Sequence, residues 1–206
     1  MTRSIRALLC DFDGVLRHWP EGPAAAIERE HDLPPGTIAA AAFEPGLLRA
    51  VTTGEITDEE WRHRIAAALA LEHGERAVAA VDAWSALEGV IDSAMRELLG
   101  EARRAVPVVL VTNATSRLNE DLHATGLLEF FDAVANSSEL GVAKPDRAMF
   151  ERAAALVGVP LAECVVVDDR PTHLEQAREA GAAVICHEDA AGTRSALVAL
   201  GVRARP

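Results

Sequence analysis

The stretch Leu8-Leu9-Cys10-Asp11-Phe12-Asp13-Gly14-Val15-Leu16 confines this chain to few architectures. An apolar run that stops at two carboxylates one residue apart, with a glycine behind them, predicts a strand buried on both faces that opens into a turn at its carboxyl end. Such strands belong to parallel sheets covered by helices, and open sheets of that kind carry their polar sites at the carboxyl edge. In a plain strand Asp11 and Asp13 would share one face. A turn beginning at Phe12 instead lets both border a common cavity, where two acids can hold different jobs.

The strand-and-helix alternation of a parallel sheet resumes near residue 106. Residues 106–111 predict a strand that runs into Thr112-Asn113-Ala114-Thr115-Ser116 and then a helix closed by Gly126. A short strand over 133–136, a helix over 145–157 and a strand over 164–167 follow, the last ending in Asp168-Asp169. A helix to Gly181 and a strand over 182–186 complete the series. From Arg17 to about Val90 the patterning is helical throughout. Thr57 and Glu60 have the spacing of a capping box ahead of Trp61, Ile65 and Leu69 on one face. Ser85 and Glu88 repeat that spacing and predict a helix with Leu87, Ile91, Ala94 and Leu98 inward, closed by Gly100. The expected fold is α/β: a doubly wound, Rossmann-like parallel-sheet core from residues 1–16 and 91–206, with an all-helical insertion over 17–90. The insertion leaves and rejoins the core beside Asp11, where it is placed to act as a lid.

At 206 residues the chain has room for one such domain with its insertion. A formal charge of −12 repels nucleic-acid backbones and anionic membranes, so neither is an expected partner. A small anionic substrate requires a metal or local cations to reverse that field. Cys10, Cys164 and Cys186 all adjoin apolar runs and have no framework spacing, which predicts buried free thiols in a reducing compartment. No apolar run is long enough to span a bilayer, and the early position of Asp11 leaves no room for a secretory leader, so the expected location is cytoplasmic. One compositional fact is sharper. Of the 20 basic Lys and Arg residues, Lys144 is the single lysine. A chain that writes every other cation as arginine places its lysine where a compact ammonium on a flexible stem is needed.

Each polar cluster follows a predicted strand or precedes a helix, so all can meet at one sheet edge. Thr112-Asn113, a hydroxyl and backbone amides ahead of a helix, suits phosphate oxygens, whereas Thr115 and Ser116 read as ordinary helix caps. Lys144 would neutralise a phosphate oxygen and relieve repulsion among the carboxylates, on the order of 4 kcal/mol per pair at about 4 Å and a dielectric near 20. Asp168-Asp169 with Asp11 supply hard oxygen ligands without neighbouring histidine or thiolate, which suits magnesium.

This ordered set resembles the haloacid dehalogenase superfamily of aspartate-dependent phosphohydrolases: Asp11-Phe12-Asp13-Gly14-Val15-Leu16, Val111-Thr112-Asn113, Lys144-Pro145 and Asp168-Asp169. The insertion resembles that family's small helical cap placed directly after the first motif. The resemblance implies hydrolysis of a small phosphorylated metabolite in two displacements, with Mg2+ as cofactor. Asp11 would be the nucleophile, forming an aspartyl phosphate, and Asp13 the acid and then the base. Thr112, Asn113 and Lys144 would hold the phosphoryl group. Asp11, the Asp13 carbonyl, Asp169 and Asp168 would hold the metal, with Asp169 the preferred direct ligand of the last pair. A phosphomutase with the same nucleophile and a silent binding or regulatory module are the alternatives. Asp13 argues against a 2-haloacid dehalogenase, which needs no proton donor for halide. The chain departs from the pattern at His173, where related members often carry Asn; a histidine in a helix's first turn is expected to be solvated. Arg17, His18, Trp19, Arg49 and Trp61 are candidates for selecting the leaving group, although packing for the tryptophans and a solvated face for the arginines are the default expectation.

Overall fold

A computed structural model describes residues 4–202. The chain runs β1 (Ala7–Cys10), β2 (Arg17–His18), α1 (Pro23–Glu30), α2 (Thr37–Ala42), α3 (Pro45–Thr52), α4 (Asp58–His73), α5 (Glu75–Ser85) and β3 (Val90–Ile91). It continues through α6 (Ser93–Arg103), β4 (Val108–Thr112), α7 (Leu118–Ala124), β5 (Ala133–Asn136), α8 (Ser137–Leu140), α9 (Arg147–Ala155), β6 (Cys164–Asp168), α10 (Pro171–Glu179), β7 (Ala183–Cys186) and α11 (Ala190–Ala199). Five parallel strands form one sheet in the order β5-β4-β1-β6-β7. The first strand in sequence is therefore the central one, with β4 and β6 on its two sides. That is the point where the winding reverses direction and where open sheets of this kind leave a crevice.

The apolar runs that predicted doubly covered strands are covered on both faces. Leu8, Cys10, Val108, Leu110, Val165 and Val167 pack on one side against Met95, Leu98 and Leu99 of α6, Leu118 and Leu122 of α7, and Leu197 of α11. Ala7, Leu9, Val109, Val111 and Val166 pack on the other side against Met149, Phe150 and Ala153 of α9 and Leu174 and Ala177 of α10. Helices α1–α5 close around a third cluster that contains Ile38, Val51, Trp61, Ile65, Leu69 and Val81. Within it α4 is capped as its sequence predicts, the Thr57 hydroxyl accepting from the Glu60 amide at 3.1 Å. The antiparallel pair β2-β3, with Arg17 opposite Ile91 and His18 opposite Val90, carries the chain out to these helices and back.

Two local expectations are corrected. The helix predicted to open at Ser85 does not form: α5 ends at that residue, and the next helix starts at Ser93, where the Asp92 carboxylate accepts from the Met95 amide at 2.9 Å. Pairing with β2 draws Val90 and Ile91 into an extended conformation that a helix through Leu87 would forbid. Cys186 is exposed, not buried like Cys10 and Cys164, because it is the last residue of an edge strand.

Candidate active site

Strand register sets the geometry. Cys10 lies beside Leu110 on one neighbour and Val167 on the other, so Asp11, Val111 and Asp168 emerge at one level of the carboxyl edge. The Asp11 amide donates to the Val167 carbonyl at 2.9 Å, the last rung of that ladder. The backbone then turns sharply: the Phe12 carbonyl accepts from both the Leu16 and Arg17 amides at 2.8 Å. Gly14 has φ +88°, and a Cβ there would overlap the Asp169 carboxylate, so glycine is needed both for the turn and for the close approach of β6's far end.

Lys144 sits at the centre of the cluster, almost wholly buried. Its ammonium donates to Asp11 Oδ2 at 2.7 Å and to Asp168 Oδ2 at 2.8 Å. The side chain of Asn113 fixes the lysine's backbone, accepting from the Lys144 amide at 2.7 Å and donating to the Lys144 carbonyl at 2.8 Å. Asn113 thus spends its side-chain amide on positioning Lys144. Thr112 is buried at the end of β4, in register with Asn136. Asp168 is saturated with donors: Oδ1 accepts from the Arg170 amide at 2.9 Å and from His173 Nδ1 at 3.0 Å, while Oδ2 holds Lys144. Asp169 is the opposite case. Its Oδ1 is buried and has no hydrogen-bond partner among the described residues.

The electrostatics follow from this unequal supply. Burial pushes the Asp11 carboxyl up to about 7, because Lys144 and the Phe12 amide are its only donors among the described residues and Asp168 adds like charge. Burial acts on Asp168 in the same direction, but His173, Lys144 and the Arg170 amide together outweigh it and hold that carboxyl well below the usual range. Burial disfavours the Lys144 ammonium, yet the two carboxylates more than restore it and raise its pKa above that of a free lysine. One ammonium therefore serves two acids, and Asp168 stays charged more readily than Asp11.

Asp11, Asp168 and His173 place one ligand atom each within 4.8 Å of one another. The Lys144 ammonium already lies between the two carboxylates, so this trio is an ion-paired cluster and not a vacant cation cage. The donor that fits a hard dication is the unpaired oxygen of Asp169, held against the turn that carries Asp11 and the Asp13 carbonyl.

A family model for haloacid dehalogenase-like hydrolases matches residues 5–181. The chain belongs to the haloacid dehalogenase-like hydrolases. Among curated relatives, pyrimidine 5′-nucleotidase YjjG of Escherichia coli K12 is 32% identical over 103 residues, 50% of this chain and 44% of that protein. The chain matches less than half the length of each of the curated relatives. Among solved structures, the HAD family enzyme bt-2542 of Bacteroides thetaiotaomicron, a complex with magnesium and inorganic phosphate, superposes with a TM-score of 0.72 at 21% identity. The match covers 90% of this chain and 97% of that one. The defluorinating L-2-haloacid dehalogenase Rha0230 superposes at 0.62 and 20% identity, over 87% and 80% of the two chains. At those identities the superpositions speak for the fold.

In this haloacid dehalogenase-like hydrolase the helices inserted after β1 are seated on the sheet edge. Gly54 approaches the Ser138 carbonyl so closely that a Cβ would overlap it. Asp58, at the start of α4, accepts from the Thr115 hydroxyl at 2.8 Å, and its amide donates to Ser116 Oγ at 3.0 Å. Thr115 and Ser116 thus clasp the inserted helices instead of only capping a helix, the role their sequence suggested. A cleft of ≈ 350 Å³ beside this clasp is lined by Thr57, Asp58, Glu59, Ser116, Arg117 and Glu120, so it lies apart from the ion-paired cluster.

Two side chains were misjudged by sequence. His173 is buried on Asp168 and not solvated, because β6 delivers Asp168 to the first turn of α10, so the carboxylate cluster does have a histidine beside it. Arg17 is buried too: its guanidinium grips Asp13 through two bonds of 2.7 and 2.9 Å, reaches Asp121 at 2.9 Å and lies over the Phe12 ring. Trp19 Nε1 donates to the same Asp13 carboxylate at 2.9 Å. An acid and a base four residues apart with an aromatic on either side was the available signal. Trp61 packs edge-on to Trp84 among the inserted helices, and Arg49 is exposed with Glu55 as its partner.

Proposed function

We propose that this chain is a magnesium-dependent phosphatase of small phosphate monoesters that works through an aspartyl phosphate on Asp11. The observation that carries the reading is the buried ammonium of Lys144, held within 2.8 Å of both Asp11 and Asp168. A phosphoryl group arriving at Asp11 meets a cation already in place, with no reorganisation needed at the moment of reaction. Residues 17–90 would be the lid and the remainder the catalytic core.

In the first displacement an Asp11 oxygen forms a bond to phosphorus as the bond to the ester oxygen breaks, and Asp13 gives the departing oxygen its proton. In the second, water attacks the phosphorus of the aspartyl phosphate, its proton goes to Asp13, and the bond to Asp11 breaks to release inorganic phosphate. Lys144 neutralises the transferring oxygens, Thr112 borders them at the end of β4, and Asn113 keeps the lysine in place. Asp11, the Asp13 carbonyl and Asp169 would hold Mg2+, with Asp168 anchoring Lys144 instead of the metal. When bound, the ion supplies charge neutralisation for the phosphoryl group and for the nucleophile. A dehalogenase would have no use for Asp13, since halide leaves without a proton.

The test is a panel of phosphate esters and 2-haloacids, with magnesium or with a chelator, run beside Asp11→Asn. Phosphate release that needs magnesium and disappears in the variant is expected. Turnover without metal, turnover that survives Asp11→Asn, or halide release in place of phosphate release would defeat the reading.

A further inference from the structure

Asp13 is the group whose placement decides whether a leaving oxygen receives its proton, and its carboxylate is gripped from three sides. Arg17 Nε donates to Oδ1 at 2.7 Å, a terminal guanidinium nitrogen donates to Oδ2 at 2.9 Å, and Trp19 Nε1 donates to Oδ1 at 2.9 Å. A two-point guanidinium bond fixes both the distance and the plane of a carboxylate, which a single donor does not. The arginine is fixed in turn. Its other terminal nitrogen reaches Asp121 of α7 at 2.9 Å, and its guanidinium carbon stands 4.2 Å from the Phe12 ring centre and 4.8 Å from the Trp19 ring centre.

The room for this side chain is made by a residue remote in sequence. A Cβ on Gly89 would lie 2.6 Å from Arg17 Cγ and 2.7 Å from Arg17 Cδ. These are atoms in the middle of the side chain, so they cannot yield without moving the guanidinium. The φ of Gly89 is one that any residue can adopt, so what keeps a side chain out is the arginine stem alone.

We infer that Arg17, seated in the space left by Gly89, is a positioning residue that sets the orientation of the Asp13 carboxylate toward the leaving group. The inference rests on the phosphatase reading and deepens it. It assigns the β2-β3 junction a part in the chemistry: the strand that leads into the lid also aims the acid. Because Asp121 belongs to the core, the arginine references Asp13 to the sheet and not to the lid helices.

The test reads the first displacement alone, as the alcohol or phenol freed in the burst before the aspartyl phosphate is hydrolysed, because Asp13 serves the second displacement of every ester alike. It compares an alkyl phosphate, whose leaving oxygen needs a proton, with p-nitrophenyl phosphate, whose leaving group does not. Arg17→Met is expected to lower the burst rate for the alkyl ester by about 10- to 100-fold, within the range that general acid–base catalysis contributes, and for the aryl ester by less than about 3-fold. Arg17→Lys, which restores one donor, should recover part of the alkyl-ester rate. Gly89→Ala should reproduce the same selective loss, and Arg17→Met combined with Gly89→Ala should be no worse than Arg17→Met alone, because both act through one group. A crystal structure of Gly89→Ala gives a readout independent of turnover: the Asp13 carboxylate should leave its present orientation. Should Arg17→Met fail to fold, Gly89→Ala and Trp19→Phe, which removes one donor and keeps the ring, decide the matter by the same selectivity. Equal losses for both esters, additive losses in the double variant, or an unmoved Asp13 in Gly89→Ala would overturn the inference while the phosphatase reading stands. A protein that releases phosphate from no ester overturns the phosphatase reading itself.

Discussion

Lys144→Met removes the cation that two buried carboxylates share. At an effective dielectric of about 20, opposite unit charges 2.7 Å apart attract by about 6 kcal/mol, most of which offsets the cost of taking the ions out of water. Without the ammonium, oxygens of Asp11 and Asp168 within 4.8 Å of each other repel by at least about 3.5 kcal/mol at the same dielectric. Breaking a buried pair from one side typically costs about 3–5 kcal/mol, and that is the expected loss of stability at pH 8. The pH dependence carries the sharper prediction. The Asp11 carboxyl is already raised to about 7 in the folded protein, so between its unfolded value and pH 7 the folded state holds a proton that the unfolded state has released. Its contribution to stability therefore falls as pH rises through that range. Without Lys144 the carboxyl rises further, so acidification to pH 5.5 should let the variant regain about half of what it lost at pH 8. In the variant Asp168 keeps His173 and the Arg170 amide as donors, whereas Asp11 keeps only the Phe12 amide, so Asp11 is the acid that takes up the proton first. Urea denaturation of the wild type and Lys144→Met at pH 8 and 5.5, in the presence of a chelator, measures both losses. A variant as stable as the wild type at pH 8, or one destabilised equally at the two pH values, would refute the shared-ammonium account.

Gly14→Ala should cost about 1–2 kcal/mol for the left-handed backbone and displace Asp169, raising the magnesium concentration needed for half-maximal turnover at least about tenfold; unchanged metal dependence would sink the assignment of Asp169. His173→Leu should destabilise by about 1–3 kcal/mol by leaving Asp168 short of a donor, and His173→Asn should recover most of that in thermal unfolding. Asp58→Ala should release α4 from Thr115 and Ser116 and speed amide exchange at the start of that helix, with little effect on exchange in β1 and β4. Exchange unchanged at residues 58–61 would show that the clasp holds nothing.

The order of strands and helices in the second half was readable because each strand there is an unbroken apolar run ended by polar residues. The short β3 was not, since nothing in Leu87-Glu88-Gly89-Val90-Ile91 itself says that the chain must turn extended; its partner, Arg17-His18, lies some seventy positions earlier. The same distinction runs through the site. Lys144 stood out by composition, and it lies between the two acids. Asn113 was visible as a polar residue at a strand end, but that its amide would close on the lysine's own backbone depended on a residue 31 positions away. His173 and Arg17 were placed on the surface because isolated histidines and arginines usually lie there. Both are buried by carboxylates that other strands and turns deliver to them.

What the residues alone decided is the periodic pattern: apolar runs long enough to be strands, the polar groups that stop them, and hence a parallel sheet with its chemistry at one edge. Such information is local, because burial preference and backbone turn chemistry act over a few neighbouring positions. Which acid keeps its charge, which oxygen is left without a partner, and which cation is spent on which carboxylate were decided only when register brought β1, β4 and β6 level. Electrostatic energy depends on separations of a few ångströms between groups up to 157 positions apart, from Asp11 to Asp168, and no window of sequence contains that distance.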